Sequence, residues 1–504
     1  MNRTMNFKSI VLFFMLIGSL FGAITGAGSS ADPYLITTAA DWATFAGDSA
    51  TYWGSGVYVQ LAGNIDFSGG NIAPCDAASA NYAGDFDGNG KVLANGTIVP
   101  VADTSNQNGL FEKLAATANI HDLIITGVDI TGDTTNAAQG YCGLLAGQTT
   151  DGSQISNIRL IQCDIAHAHD QAGGTDKAYV GGLVGANHGT ITDCYIDGGS
   201  VSANDTAVGN ELYLGGMVGY QIGNSITDSY STAEVLDISN ATTIASYVGG
   251  FVGHADTATV TGCYARCKID YTSNNGACNV GGFAGKTTSS TVSNCYTVGY
   301  ADVNSGTANG YIAGFSSRFI STTIDSCYSI MTMDLIATGS NYSGGFAAQA
   351  STGTNTITNC YAIGSLFNNG DPDITALDVF GGFLGYGLSA TITNCYAVIG
   401  PWDGENANRE GFIGLNTTCT LTGCIWDNTV VAFADTSGDD GTSSTTIDMK
   451  TFAPWSGYSR AKWKQVNGYY PILYWQTYED YSTEQIYGRH VNQSGGMFKG
   501  VFSK

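Results

Sequence analysis

The chain has 504 residues, 43% hydrophobic and only 12% charged, with 69 Gly, 7 Pro and a formal net charge of −24. That much apolar content buries a long core and excludes a disordered chain, while abundant Gly and few charges exclude a helical bundle or an α/β enzyme. So acidic a chain repels phosphate backbones, so nucleic acid is not an expected partner.

The first element in chain order is a leader. Arg3 and Lys8 flank the start of the apolar run Ile10 to Phe21, and small residues follow at Ala23, Thr25, Ala27, Ser29 and Ala31. This order predicts a secretory signal peptide over residues 1–27, with cleavage near Ala27 or Ala31. About a dozen apolar residues fall short of the roughly 20 that a membrane span needs. The expected location is secreted or cell-surface, with no transmembrane segment after cleavage.

Residues 32–108 are expected to hold an N-terminal capping region and the first rungs. Within them Asp85-x-Asp87-x-Asn89-Gly90 matches the start of a calcium loop. Its twelfth position is Gly96, where a bidentate Glu is needed, so the segment is read as a turn and no metal is expected.

Residues 109–427 are repetitive. The block from Tyr179 to Val201 returns from Tyr213, from Tyr247 and from Asn279, with weaker copies elsewhere. The Gly before the bulky apolar residue recurs at Gly109, Gly143, Gly182, Gly216, Gly250, Gly282, Gly314, Gly345, Gly382 and Gly411, at intervals of 29 to 39 residues. No unit shows helical periodicity. Each instead holds three short apolar segments: Leu/Phe-Val-Gly, Thr-Ile-Thr, and a Val or Ile after Cys-Tyr. The expectation is an all-β, right-handed parallel β-helix of about ten rungs of roughly 33 residues, with three short strands per rung. The variable stretches 202–212, 236–246 and 368–379 are expected as loops on one edge. Residues 428–504 should form a closing segment and tail.

Alternation sets the faces. In Thr190-Ile191-Thr192 the Ile faces the core and both Thr face out, so Ile191, Ile226, Val260, Val292, Ile324, Ile357, Ile392 and Leu421 should form one stack. A bend at Asp193 and its equivalents, all Asp, Asn, Ser or Gly, turns the next residue inward. That next residue is Cys at 194, 263, 295, 327, 360, 395 and 424, with Ser229 replacing one, and Cys163 is an eighth repeat-locked Cys. A Ser in the row argues for small buried residues filling a corner rather than for a metal or redox ladder. The outward Thr-x-Thr array is read as ordinary strand composition, with Asp325 interrupting any ice-matching plane. Tyr195, Tyr230, Tyr264, Tyr296, Tyr328, Tyr361 and Tyr396 should point outward. They are the candidate binding residues, either stacking on sugar rings or shielding the corner by stacking on one another.

The Gly-Gly-Leu-Val-Gly and Thr-Ile-Thr-Asp-Cys-Tyr pattern resembles the GLUG repeat of prokaryotic surface proteins, also present in bacterial IgA peptidases. Asp32 to Ile36 with Trp42, and Thr446 to Lys450 with Trp463 and Tyr470 to Trp475, resemble the opening and closing segments of such proteins. The resemblance implies a surface location and an adhesive or structural role. The peptidases' His-Glu-x-x-His zinc motif does not occur in this sequence. Six His and scattered turn Asp offer no acid–base cluster, so no catalytic residue and no cofactor are expected. The expected function is structural or adhesive binding to a cell-surface glycan or protein. The alternative is a polysaccharide-active β-helix enzyme, lyase or glycosidase, or a carbohydrate-binding module.

Overall fold

The computed structural model describes residues 24–476 apart from 77–79, 100–105, 135–138, 170–176, 206–210, 239–244, 273–276, 307–308, 338, 369–378, 401–408, 431–440, 452–454, 456 and 466–467. Most of the expected signal peptide and the tail beyond 476 lie outside the described residues.

The fold is an all-β parallel solenoid built from three sheets. In one turn Lys177–Gly181 joins the first sheet and Val184–Asn187 the second. Thr190–Thr192, Tyr195–Asp197 and Ser200–Asp205 join the third. The first and second sheets each stack ten strands in chain order. Register is kept from turn to turn, so that Tyr179 lies beside Tyr213 and Tyr213 beside Tyr247.

The double glycine makes the sharpest corner, and it carries a strand on each side rather than one strand after it. A Cβ on Gly281 would lie 2.1 Å from the Ala284 carbonyl oxygen, and one on Gly285 would lie 2.5 Å from the Val248 nitrogen. The first and second sheets therefore meet backbone to backbone, with no side-chain layer between them. The strand before the corner corrects the loop expectation. Glu211–Gly215, Ala245–Gly249 and Val379–Gly381 are strands that reach into the variable stretches. They form because Leu212, Leu214 and Val248 bury completely, whatever the length of chain that precedes them. Ser200–Asp205, Glu234–Asp237 and Tyr361–Asn368 reach into the same stretches from the other side, and only 206–210, 239–244 and 369–378 lie outside the described residues.

The third sheet bends where expected. Asp193, Asp228, Asn294, Ser326, Asn359 and Asn394 have φ between 48° and 57°, and Gly262 and Gly423 complete the row. These residues tolerate the left-handed region or hydrogen-bond locally. A second left-handed row, Asn224, Thr257, Ser289 and Ser321, opens the same sheet.

Inside the bend, Ile191, Ile226, Val260, Val292, Ile324, Ile357 and Ile392 are fully buried, and Leu421 is half-buried at the end of the stack. The cysteine row has a further role that composition did not disclose. The backbone N–H of Cys263 donates to Cys295 Sγ at 3.4 Å, that of Cys295 to Cys327 Sγ at 3.4 Å, and that of Cys360 to Cys395 Sγ at 3.3 Å. The Cys194 N–H donates to Ser229 Oγ at 3.1 Å. Each side chain accepts the corner N–H of the preceding turn, which explains why Ser substitutes and hydrocarbons do not. All thirteen cysteines are free thiols. Burial pushes the Cys194 thiol up to about 12, so it stays protonated.

The N-terminal end of the core is covered by the helix Ala39–Gly47, started by a capping box between Thr38 and Asp41. Its Trp42 and Phe45 pack against Phe86 and Phe111 at ring separations of 5.6–6.4 Å. This plug closes a core that an end turn would otherwise leave open.

Two expectations follow. Val292→Asp buries an unpaired carboxylate and should cost about 4 kcal/mol or more; an unchanged melting curve would place Val292 on the wrong face. Cys295→Ala should cost about 1–3 kcal/mol, because it orphans the buried Cys263 N–H, whereas Cys295→Ser should cost markedly less. Equal losses in urea titrations would show that volume alone matters there.

Candidate functional site

The seven tyrosines nominated by the repeat do form one continuous column. Tyr195, Tyr230, Tyr264, Tyr296, Tyr328, Tyr361 and Tyr396 stack ring on ring with centroids 4.6–4.8 Å apart. That separation is the strand spacing itself, so the in-register backbone sets the stack. Parallel rings at this distance use their faces on one another. Only their edges remain for a ligand, whereas sugar stacking needs a face.

Half of the column is also roofed. The helix Thr446–Thr451 and the antiparallel pair Trp463–Lys464 with Ile472–Leu473 turn back along the outside of the solenoid. Trp455 and Trp463 lie 5.3 and 5.7 Å from Tyr396, and Trp475 lies 5.7 Å from Tyr328. The Tyr396 hydroxyl donates to the Pro471 carbonyl at 2.7 Å. Tyr328, Tyr361 and Tyr396 are consequently at most 1% exposed and Tyr296 9%, while Tyr195, Tyr230 and Tyr264 stay half-buried. The closing segment thus adds one parallel strand, Thr442–Ser444, to the third sheet and then becomes a side cover. Sequence order placed it last in the chain, and only three-dimensional packing shows what its tryptophans cover.

The outward Thr array is interrupted as expected and in a second way. Lys462 Nζ lies 2.6 Å from Asp325 Oδ2, and Asp325 Oδ1 accepts from Thr358 Oγ1 at 2.8 Å. The roof is pinned to the array at that point.

The Asp85 to Gly90 segment, expected as a turn, lies within the strand Asp85–Ile98; Asp85–Asp87 pair with Asn119–His121, and the ladder shifts register between Asp87 and Lys91, where Asn89 and Gly90 have φ 53° and 64°. It also contributes to a cluster that the spacing alone did not reveal. His121 Nδ1 lies 2.8 Å from Asp122 and 3.7 Å from Asp87, and its Nε2 lies 3.2 Å from Asp85. Asp87, His121 and Asp122 hold their ligand-type atoms within 4.8 Å of one another. Both ring nitrogens face carboxylates, which satisfies the cluster as an imidazolium ion network. Burial alone would lower the His121 pKa; the bonds to Asp122 and Asp85 outweigh it and raise it above 6.5.

A second aromatic assembly went unnoticed because its members straddle the variable stretch and the glycine corner. Tyr141, Tyr179, Tyr213 and Tyr247 stack along the first sheet at 5.0–5.1 Å. Tyr220 and His254 of the second sheet slot in beside them, with Tyr220 5.1 Å from Tyr213 and His254 4.9 Å from Tyr220. Close packing at the corner brings these two columns together. His254 is a strand residue and is buried, and burial drives its pKa well below 6.5.

One turn of this geometry runs from the corner through the second sheet and the Thr-x-Thr strand to the buried Cys and outward Tyr. Over residues 244–269 that turn matches the GLUG motif model. The GLUG motif is present. No curated protein sequence matches the chain. A crystal structure of a candidate immunoglobulin A1 protease from Bacteroides ovatus is similar over 90% of this chain and 95% of its own, at 14% identity and a TM-score of 0.33. A likeness that low transfers no activity.

The His121 cluster yields a pH test. Its raised pKa means that the imidazolium contribution is complete below about 6.5 and is lost as pH rises through the folded value. The Asp122 pKa is lowered by His121 and Asn157, so its contribution is present above 3.8 and is lost as pH falls through the folded value. His121→Gln should therefore cost most stability between about pH 4 and 6.5 and least in alkali. A stability difference that grows toward alkali in paired melting series would contradict this ion network.

Proposed function

We propose that this chain is a non-enzymatic, surface-exposed structural protein of a prokaryote that presents its solenoid flank to cell-surface glycans or proteins. The observation that supports this reading is the use made of the repeat-locked side chains. The Ile stack, the Cys row and the Tyr column all serve turn-to-turn packing or hydrogen bonding. A long, rigid, repetitive flank is what a spacer or adhesive surface needs. The leader read in the sequence supports export. No described helix is long and apolar enough to cross a membrane.

The test uses the chain lacking residues 1–27 in glycan-array and cell-binding assays, followed by incubation with neutral and acidic polysaccharides. The expected result is saturable binding without product. Glycan cleavage that disappears on replacing one carboxylate would overturn the reading in favour of a polysaccharide-active enzyme.

A further inference from the structure

The second sheet's outward column continues past Tyr220 and His254 to Lys286, Arg318 and Gln349. The neighbouring column of the first sheet runs Tyr213, Tyr247, Asn279, Tyr311 and Tyr342. At Asn279 a ring is missing from an otherwise aromatic run. The two cations flank this gap: Lys286 Nζ lies 5.1 Å from the Tyr247 ring centre, and Arg318 Cζ lies 4.8 Å from that of Tyr311.

In a chain with 42 acidic and 18 basic residues, an unneutralised pair of cations is unexpected. Among the described residues neither Lys286 nor Arg318 has a carboxylate within 4.0 Å; the ion pairs go to other cations. The nearby acids are engaged elsewhere. Glu211 takes the Tyr213 hydroxyl at 2.6 Å and Lys177 at 2.9 Å, and Asp256 takes the hydroxyls of Tyr220 and Thr257 at 3.0 and 3.1 Å. Arg318 Nε is buried with no hydrogen-bond partner, and so is Nδ1 of His254, which lies beside Lys286 on its other side. Burial and then the Arg318 charge lower the Lys286 pKa, as expected of two like charges one turn apart. A guanidinium without an acceptor, beside an ammonium that feels Glu211 and Asp256 only at a distance, suits a planar or tetrahedral oxyanion, which takes paired N–H donors.

We propose that Lys286 and Arg318 form an oxyanion site, which takes one carboxylate or sulfate group of the kind that a uronic acid or a sulfated sugar carries. Cation–π contact with Tyr247 and Tyr311 holds the two side chains in place without neutralising them. The site deepens the surface-binding reading above and rests on it only for the sugar that carries the anion.

The experiment compares the chain lacking residues 1–27 with its Lys286→Gln and Arg318→Gln variants at constant ionic strength. Sodium sulfate, galacturonate and neutral galactose serve as probes, in titration calorimetry and thermal melts. Sulfate and galacturonate should bind the parent chain and stabilise it more than either variant, with affinity about tenfold weaker in each variant. Galactose should not distinguish the three proteins. Without ligand, both variants should melt no lower than the parent, because a like-charge contact has been removed. Equal responses to sulfate and galacturonate in all three proteins, or no binding to any, would overturn the site. Acidic-glycan binding on the array that persists in both variants would also overturn it while leaving the surface-binding reading intact. Anion binding lost in the variants, with no glycan or cell bound by the parent, would retain the site and refute the surface-binding reading instead.

Discussion

Two sheets of this solenoid meet through their backbones at the double-glycine corner, and most other features follow from that contact. A Cβ at Gly250 would lie 2.3 Å from both Cys267 Sγ and the Gly282 carbonyl oxygen. The corner therefore admits no side chain, in this turn or the next. Because no side-chain layer separates the first and second sheets, the apolar core lies between them and the bent third sheet. The outward residues flanking the corner are forced side by side. The second aromatic ladder is a direct product of that closeness, as are the cations beside it.

Identical turns in strict register bring like residues together, with consequences that differ by chemistry. Apolar residues gain: Phe251, Phe283, Phe315, Phe346, Phe383 and Phe412 stack at 4.7–5.0 Å through the core. Corner polar residues gain as well, since each Cys or Ser accepts an N–H from the turn before it. Ionised residues lose. Asp270, Asp302 and Asp334 are aligned in successive turns. Burial raises the Asp302 pKa, and its two neighbours raise it further. Lys268 relieves that ladder by lying 3.3 Å from Asp270.

The fold was legible in the sequence because its determinants are local and repeated. Alternation in Thr-x-Thr fixed the buried face, and Asp, Asn, Ser or Gly at one recurring position fixed the bend. What escaped is what repetition does not encode. The strand before the glycine corner was obscured by variable chain length ahead of it, although its own alternation at Leu212 and Leu214 is as clear as any other. The closing segment's position was invisible because Trp455, Trp463 and Trp475 occur once each and touch residues over 50 positions away. The tyrosine column was located correctly, yet its accessibility could not be read: outward from the strand is not outward to solvent when a later segment lies over it. The His121 cluster joins Asp85 and Asp87 of one turn to His121 and Asp122 of the next, which no spacing rule within a turn reveals.

In such a molecule the repeat-locked positions carry the architecture, and departures from the repeat carry the information about function. Two unit charges about one strand spacing apart repel by on the order of 3 kcal/mol at an effective dielectric of 20, and by much less where solvent reaches them. Placing Arg318 directly after Lys286 therefore works against the cation–π contacts that the two side chains make with Tyr247 and Tyr311. Gln349 in the following turn shows that a neutral side chain fits the same column. Asp325 is the instructive contrast: it also departs from its row, and the structure explains it through Lys462, Thr358 and Asn359. Among the described residues Lys286 and Arg318 have no salt bridge of that kind, which is the contact the proposed oxyanion would supply.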